Sequence, residues 1–123
     1  MDIRLKRVYE DPSEGDGQRI LVDRLWPRGL TKEAARIDAW LKDVAPSHEL
    51  RKWIHHDPSQ WEEFVVRYRS ELTDTPEAVA RIKQLREAAL VGVVTLVFSA
   101  KSVNRNNATV LRDVLLQDFN PQR

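Results

Sequence analysis

Hydrophobic and polar positions follow two rhythms along the chain. Up to Val44 the apolar runs are short. Ile3, Leu5 and Arg7 alternate with Arg4, Lys6 and Val8, an imperfect two-residue period that predicts a strand. Tyr9–Gln18 holds Pro12, Gly15 and Gly17 among acidic residues, which is loop chemistry. Arg19–Asp23 is a short run carrying Ile and Val, long enough for a buried strand. Pro27 steers Trp26 out of the helical region and Gly29 tolerates positive φ, so Leu25–Gly29 turns. Thr31 is placed to cap a short helix, Lys32–Arg36. Ile37–Val44 fits either period: Asp38, Trp40 and Lys42 alternate, while Ile37, Trp40, Leu41 and Val44 share a helical face. A strand is the preferred reading there.

Beyond Ala45 the period lengthens. Ser47 can cap a helix whose stripe is Leu50, Trp53 and Ile54. Asp57-Pro58-Ser59-Gln60 has the order of a capping box with proline at the first helical position. Trp61, Phe64, Val65, Tyr68 and Leu72 follow at helical spacing, and Thr75-Pro76-Glu77 opens a further helix facing inward through Ala78, Ile82, Leu85 and Ala89. Val93–Phe98 is the strongest strand signal, apolar on both faces and so expected at the centre of a parallel sheet. Asn104 or Asn106 can start a last helix that ends near Asn120-Pro121.

The order predicts one α/β domain over residues 1–123: three layers, with a small, mostly parallel sheet and helices on both faces. The connector Tyr9–Gln18 is short for a parallel crossover, which usually takes a dozen or more residues. Strand one therefore pairs elsewhere, or the connector is an abbreviated crossover.

Composition narrows the function classes. A length of 123 residues suffices for one core without staples, and the absence of cysteine excludes disulfides, thiolate metal sites and cysteine nucleophiles. Twenty basic residues against 19 acidic ones argue against a bulk polyanion binder, although 14 of the 20 are arginine. The start of the chain lacks the pattern of a secretory signal, and Val93–Phe98 falls far below the ~20 residues that span a bilayer. A cytoplasmic protein with no membrane partner is expected.

In open α/β sheets ligands bind beyond the carboxyl ends of the strands. Three segments should reach that edge: Lys6–Tyr9, Asp23–Gly29, and Ser99–Ser102 with Asn104 and Asn107 behind it. If they share one edge, Arg24, Arg28 and Lys101 converge beside a helix N-terminus, an arrangement that favours an anion. Ser99 would donate a hydrogen bond, and Asp23 would orient an arginine or move a proton. The plainer account has Arg24 and Arg28 paired with Asp23 and nearby acids and stacked on Trp26. No glycine-rich phosphate loop is present.

His55-His56-Asp57 invites a metal reading, but adjacent helical side chains diverge by about 100°, and helical zinc sites use i, i+4 spacing. Asp57 is better read as a cap, and no metal or cofactor is expected. His56 is a candidate proton carrier beside the arginines. Trp40, Trp53 and Trp61 lie on apolar stripes and read as core, whereas Trp26 stands in a basic turn where it can wall a pocket.

Lys6–Tyr9, the run Asp16–Gly29 (DGQRILVDRLWPRG), Trp40–Lys42, Glu49–Trp53, His56–Pro58 and Leu96–Lys101 stand in order over almost the whole length. In these segments the chain resembles the domain-of-unknown-function 488 family, in its YeaO-like branch. The resemblance implies a small bacterial or archaeal cytoplasmic α/β domain, and supplies no catalytic assignment. It places Asp23, Arg24, Trp26, Pro27, Arg28, Lys42, Arg51, Ser99 and Lys101 on motif positions.

The sequence thus points to a small-ligand site, catalytic or purely binding, for a phosphorylated or carboxylated compound such as a nucleotide. Arg24, Arg28 and Lys101 would hold the anion, with Ser99, Trp26, Lys42 and Arg51 around it and Asp23 or His56 moving a proton. The rival is a non-catalytic nucleic-acid- or protein-binding module using Arg28, Arg51 and an exposed Trp26. A third possibility is an oligomerising subunit in which the same residues form buried ion pairs.

Overall fold

Val93–Phe98 forms the strand around which everything else is arranged. A computed structural model describes residues 1–117. Its sheet has four strands, all parallel: β1 (Asp2–Arg7), β2 (Gln18–Leu21), β3 (Ala39–Trp40) and β4 (Val93–Phe98), in the spatial order β1-β4-β2-β3. Every residue of β4 after Val93 is buried, as expected for a strand flanked on both edges and covered on both faces.

The short connector after β1 is an abbreviated crossover, and strand one also pairs elsewhere than with β2. β1 pairs with β4, not with β2, and the connector passes over β4 through one 3-10 turn, Glu14–Asp16. Gly17 then brings the chain back into the sheet at φ +61°. A Cβ there would stand 2.3 Å from the carbonyl oxygen of Val93, so only glycine fits.

The steps β1 to β2 and β2 to β3 run the same way across the sheet, while β3 to β4 runs back. Right-handed crossovers therefore put the first two connections on one face and the third on the other. The third connection carries most of the helix: α2 (His48–His56), α3 (Trp61–Asp74) and α4 (Pro76–Val91), with α5 (Asn107–Gln117) joining them after β4. Ile3, Ile20, Val22, Val94, Leu96 and Phe98 meet these helices in the main core. Each such side chain, once fully buried, contributes roughly 1.5–3 kcal/mol.

Helices are thus unevenly shared between the faces. The opposite face has only the one-turn α1 (Lys32–Ala35) and the loops beside it, with Val8, Ala35 and Val97 in a small second cluster. Polar groups complete that layer: Asp16 is salt-bridged to Arg19 at 2.6 Å and Lys6 at 3.1 Å, and Arg19 also donates to the carbonyl of Ala35. Thr95 donates from its hydroxyl to the carbonyl of Asp16 at 2.7 Å.

Local signals account for most boundaries. Thr31 caps α1 through Ala34 N–H, Ser47 caps α2 through Leu50 N–H, and the Asn106 side chain accepts from Thr109 N–H at the start of α5. Asp57 bonds to Ser59, but the turn it opens, Pro58–Gln60, is 3-10 and α3 begins at Trp61. Thr75 precedes Pro76 at the start of α4 without a side-chain cap. Ile37–Val44 holds the preferred strand only at Ala39–Trp40 (β3), and a 3-10 turn, Lys42–Val44, follows it in place of an α-helix. The expected helix end at Asn120-Pro121 lies outside the described residues.

Candidate functional site

The carboxyl ends of β1, β2 and β4 open on one side of the sheet, and the polar side chains there do distinct tasks. Asp23, two residues past β2, accepts through Oδ2 from the backbone N–H of Ser99 at 2.9 Å and from its hydroxyl at 2.8 Å. Its Oδ1 accepts from Asn107 Nδ2 at 3.1 Å, and the same Asn107 amide donates to the carbonyl of Val22 at 2.8 Å. Trp40 Nε1 donates to the Asp23 carbonyl at 2.7 Å. One carboxylate therefore ties β2, the turn after β4 and the first residue of α5 together.

Arginines hold the remaining loops. Arg7, the last residue of β1, donates to the carbonyls of Ala100 (2.8 Å) and Ser99 (3.1 Å), which closes the turn after β4. Arg24 Nε donates to the carbonyl of Pro46 at 3.0 Å, just ahead of the α2 cap Ser47. Ser47 is itself fixed to Glu71 of α3 through both its N–H and its hydroxyl. The Tyr9 hydroxyl donates to the carbonyl of Arg28, pinning the loop that presents that side chain.

These loops enclose a cleft of about 1050 Å³ with α2, α3 and the start of α5. Its basic lining is Arg7, Arg24, Arg28, Arg51, Lys101 and Arg105, against one carboxylate, Asp23. Among the described residues none of these six basic groups forms a salt bridge. Arg51 is the sharpest case, because its Nε is buried and has no hydrogen-bond partner. A buried guanidinium nitrogen without an acceptor is costly unless a bound group supplies one. The other part of the lining is apolar, through Ile54, Pro58, Trp61 and Phe64 on the α2–α3 side and Leu25, Trp26, Pro27, Pro46 and Ala100 on the loops.

Of the residues expected from the sequence, Asp23, Arg24, Trp26, Arg28, Arg51, Ser99 and Lys101 line this cleft. Lys42 does not: it is exposed, with its ammonium 4.1 Å from the Trp40 ring centroid. His56 does not either. The face of α2 toward the cleft is Arg51, Ile54 and His55, at helical spacing, so the neighbouring His56 is rotated away and exposed. Arg24 and Arg28 are not paired with Asp23, whose oxygens are taken by Ser99 and Asn107.

Trp26 is half-buried, donates from Nε1 to the Leu30 carbonyl at 2.7 Å, and meets Trp40 edge-on at 5.5 Å. Trp40 accordingly supports the strand-end loops and is not part of the main core. Trp53 and Trp61 pack against that core while only half-buried. Sequence reasoning overlooked Arg7, His55 and Arg105 as lining residues. The first stands at a strand end, which was signal enough; Arg105 lies in an irregular loop whose path no period foretells.

Comparison with known proteins agrees with the sequence resemblance. Residues 2–123 match the family described as the inactive DUF488-N3 subclade. The chain belongs to this family. It is 47% identical over 113 residues to the uncharacterized protein Rv3073c of Mycobacterium tuberculosis, covering 92% of each chain. It is 42% identical over 115 residues to the uncharacterized protein YeaO of Escherichia coli, covering 94% of this chain and 97% of the relative. No solved structure matches it. Among the described residues no cluster of three His, Cys, Asp or Glu is placed to hold a metal ion. None of their helices is long and apolar enough to cross a membrane.

Proposed function

We propose that the protein binds a small phosphorylated or carboxylated compound, of which a nucleotide is one example, in the cleft at the carboxyl ends of its strands. The observation that carries this reading is the six-to-one excess of basic over acidic side chains around one cleft of a chain whose net charge is only +1. The buried, unpartnered Nε of Arg51 supports a bound ligand in this cleft, since it leaves a donor without an acceptor. The start of α5 adds N–H donors at the same place, behind Asn106 and Asn107.

Binding without turnover is the form we favour. The family's description as an inactive subclade supports it. So does the state of Asp23, whose carboxylate already accepts three hydrogen bonds and holds loops together. An open nucleic-acid strip would need Trp26 exposed; its packing on Trp40 and its bond to Leu30 weigh against that alternative.

Calorimetric titration with inorganic phosphate, pyrophosphate, citrate and a nucleoside monophosphate tests the proposal. At least one should bind with a single site per chain, and Arg28→Ala with Lys101→Ala should abolish it. A folded protein that ignores all four would overturn the reading. Tight binding of an oligonucleotide alone, with a steep dependence on salt, would favour the nucleic-acid alternative.

A further inference from the structure

The cleft combines a basic cluster with a broad apolar surface, and this bears on what the anion is attached to. Arg28, Lys101 and Arg105 stand on loops at the strand ends. Facing them, the α2–α3 side offers Ile54, Pro58 and Trp61, with Trp61 stacked on Phe64 at 4.9 Å between centroids and an interplanar angle of 24°. Arg51 stands on the same face of α2 as Ile54, three residues earlier, so the unpartnered donor belongs to the apolar side. A volume of about 1050 Å³ lies just above the roughly 300–1,000 Å³ typical of small-molecule sites, far more than an inorganic anion fills.

Taking the anion site proposed above as given, the geometry points to a ligand whose anionic group is carried by a planar, heteroatom-bearing ring of mononucleotide size. The ring packs on the Ile54, Pro58 and Trp61 side. One of its acceptor atoms takes the hydrogen bond that Arg51 Nε leaves open. The anionic group lies toward Arg28, Lys101 and Arg105. An aliphatic phosphate would satisfy the basic side and leave the aromatic side and Arg51 unused.

The test is calorimetric titration of the full chain with three probes: a nucleoside 5′-monophosphate, ribose 5-phosphate and inorganic phosphate. The nucleotide should bind roughly tenfold or more tighter than ribose 5-phosphate, the ratio that about 1.4 kcal/mol of ring stacking corresponds to. Trp61→Leu and, separately, Arg51→Met should each shrink that ratio while leaving the affinity for ribose 5-phosphate nearly unchanged. Arg51→Met keeps an unbranched stem on α2 and removes only the guanidinium end, so it serves if Trp61→Leu fails to fold. Equal affinities for the nucleotide and ribose 5-phosphate would overturn the ring assignment and leave the anion site standing. Failure of all three probes to bind folded protein would overturn both.

Discussion

Asp23 and Ser99 are joined twice, with one carboxylate oxygen accepting the Ser99 N–H at 2.9 Å and the Ser99 hydroxyl at 2.8 Å. They are far apart in sequence and sit just beyond neighbouring strands, β2 and β4. Charge-assisted bonds of this kind are shorter and stronger than neutral ones. The clasp fixes the turn that carries Lys101 and, through Asn107, the start of α5.

Asp23→Ala should therefore destabilise the fold by about 2–4 kcal/mol, because it leaves half-buried Ser99 and Asn107 donors unmatched. Ser99→Ala removes only the hydroxyl bond and should cost about 1 kcal/mol. Urea denaturation of both single variants and the double variant measures the coupling. Additive effects would show that the clasp is not an energetic unit.

The buried ion pair on the opposite face sets the acid response. Burial alone would raise the carboxyl pKa of Asp16, but hydrogen bonds from the Ser13 backbone, Lys6, the Ser13 hydroxyl and Arg19 outweigh it and hold the group well below the usual carboxylate range. A pKa lowered by folding gives stability that is full above the unfolded value near 3.9 and is lost as pH falls below it. Stability should thus fall progressively as pH drops below about 4. Asp16→Asn should be less stable at neutral pH by about 3–5 kcal/mol, with a flatter slope in that acid window. Circular dichroism during urea titration at several pH values would show both.

Gly17→Ala should destabilise by more than about 2 kcal/mol, since the residue needs positive φ and its Cβ would strike the Val93 carbonyl. The same change at Gly29, also at positive φ but with open space around it, should be milder. Thermal unfolding of the two variants gives the comparison.

The cleft assignment separates residues that the sequence grouped together. Arg28→Ala and Lys101→Ala should each weaken anion binding roughly ten- to a hundredfold, the effect of losing about 1.5–3 kcal/mol of charge-assisted contact. Lys42→Ala and His56→Ala should leave it unchanged, because neither lines the cleft. Calorimetry on the four variants decides this.

Much of this arrangement is legible in the residues themselves. The two-sided apolar run Val93–Phe98 names the central strand, and strand-end position alone leads to Asp23, Arg24, Arg28, Ser99 and Lys101. Ser47, Thr31 and Asn106 mark helix starts because their side chains satisfy N–H groups that the helix leaves open. Other features depend on where distant segments meet. The connector Tyr9–Gln18 reads as short, but no local pattern states that β1 docks beside β4, and the clasp between Asp23 and Ser99 is not visible beforehand. His55 and His56 differ only in helix phase, which is fixed once Leu50 enters the core. Trp40 has the spacing of a core residue, yet its indole N–H finds the Asp23 carbonyl, a partner supplied by the loop after the neighbouring strand β2.

The most direct measurement is a titration of 15N-labelled protein with pyrophosphate, followed by NMR of backbone amides and arginine Nε groups. Saturable shifts at Arg28 Nε and through the amides of Ser99–Asn107, with Lys42 and His56 unmoved, are the result expected of an anion site in this cleft. Saturable shifts confined to another surface, or no shifts at all, would contradict it.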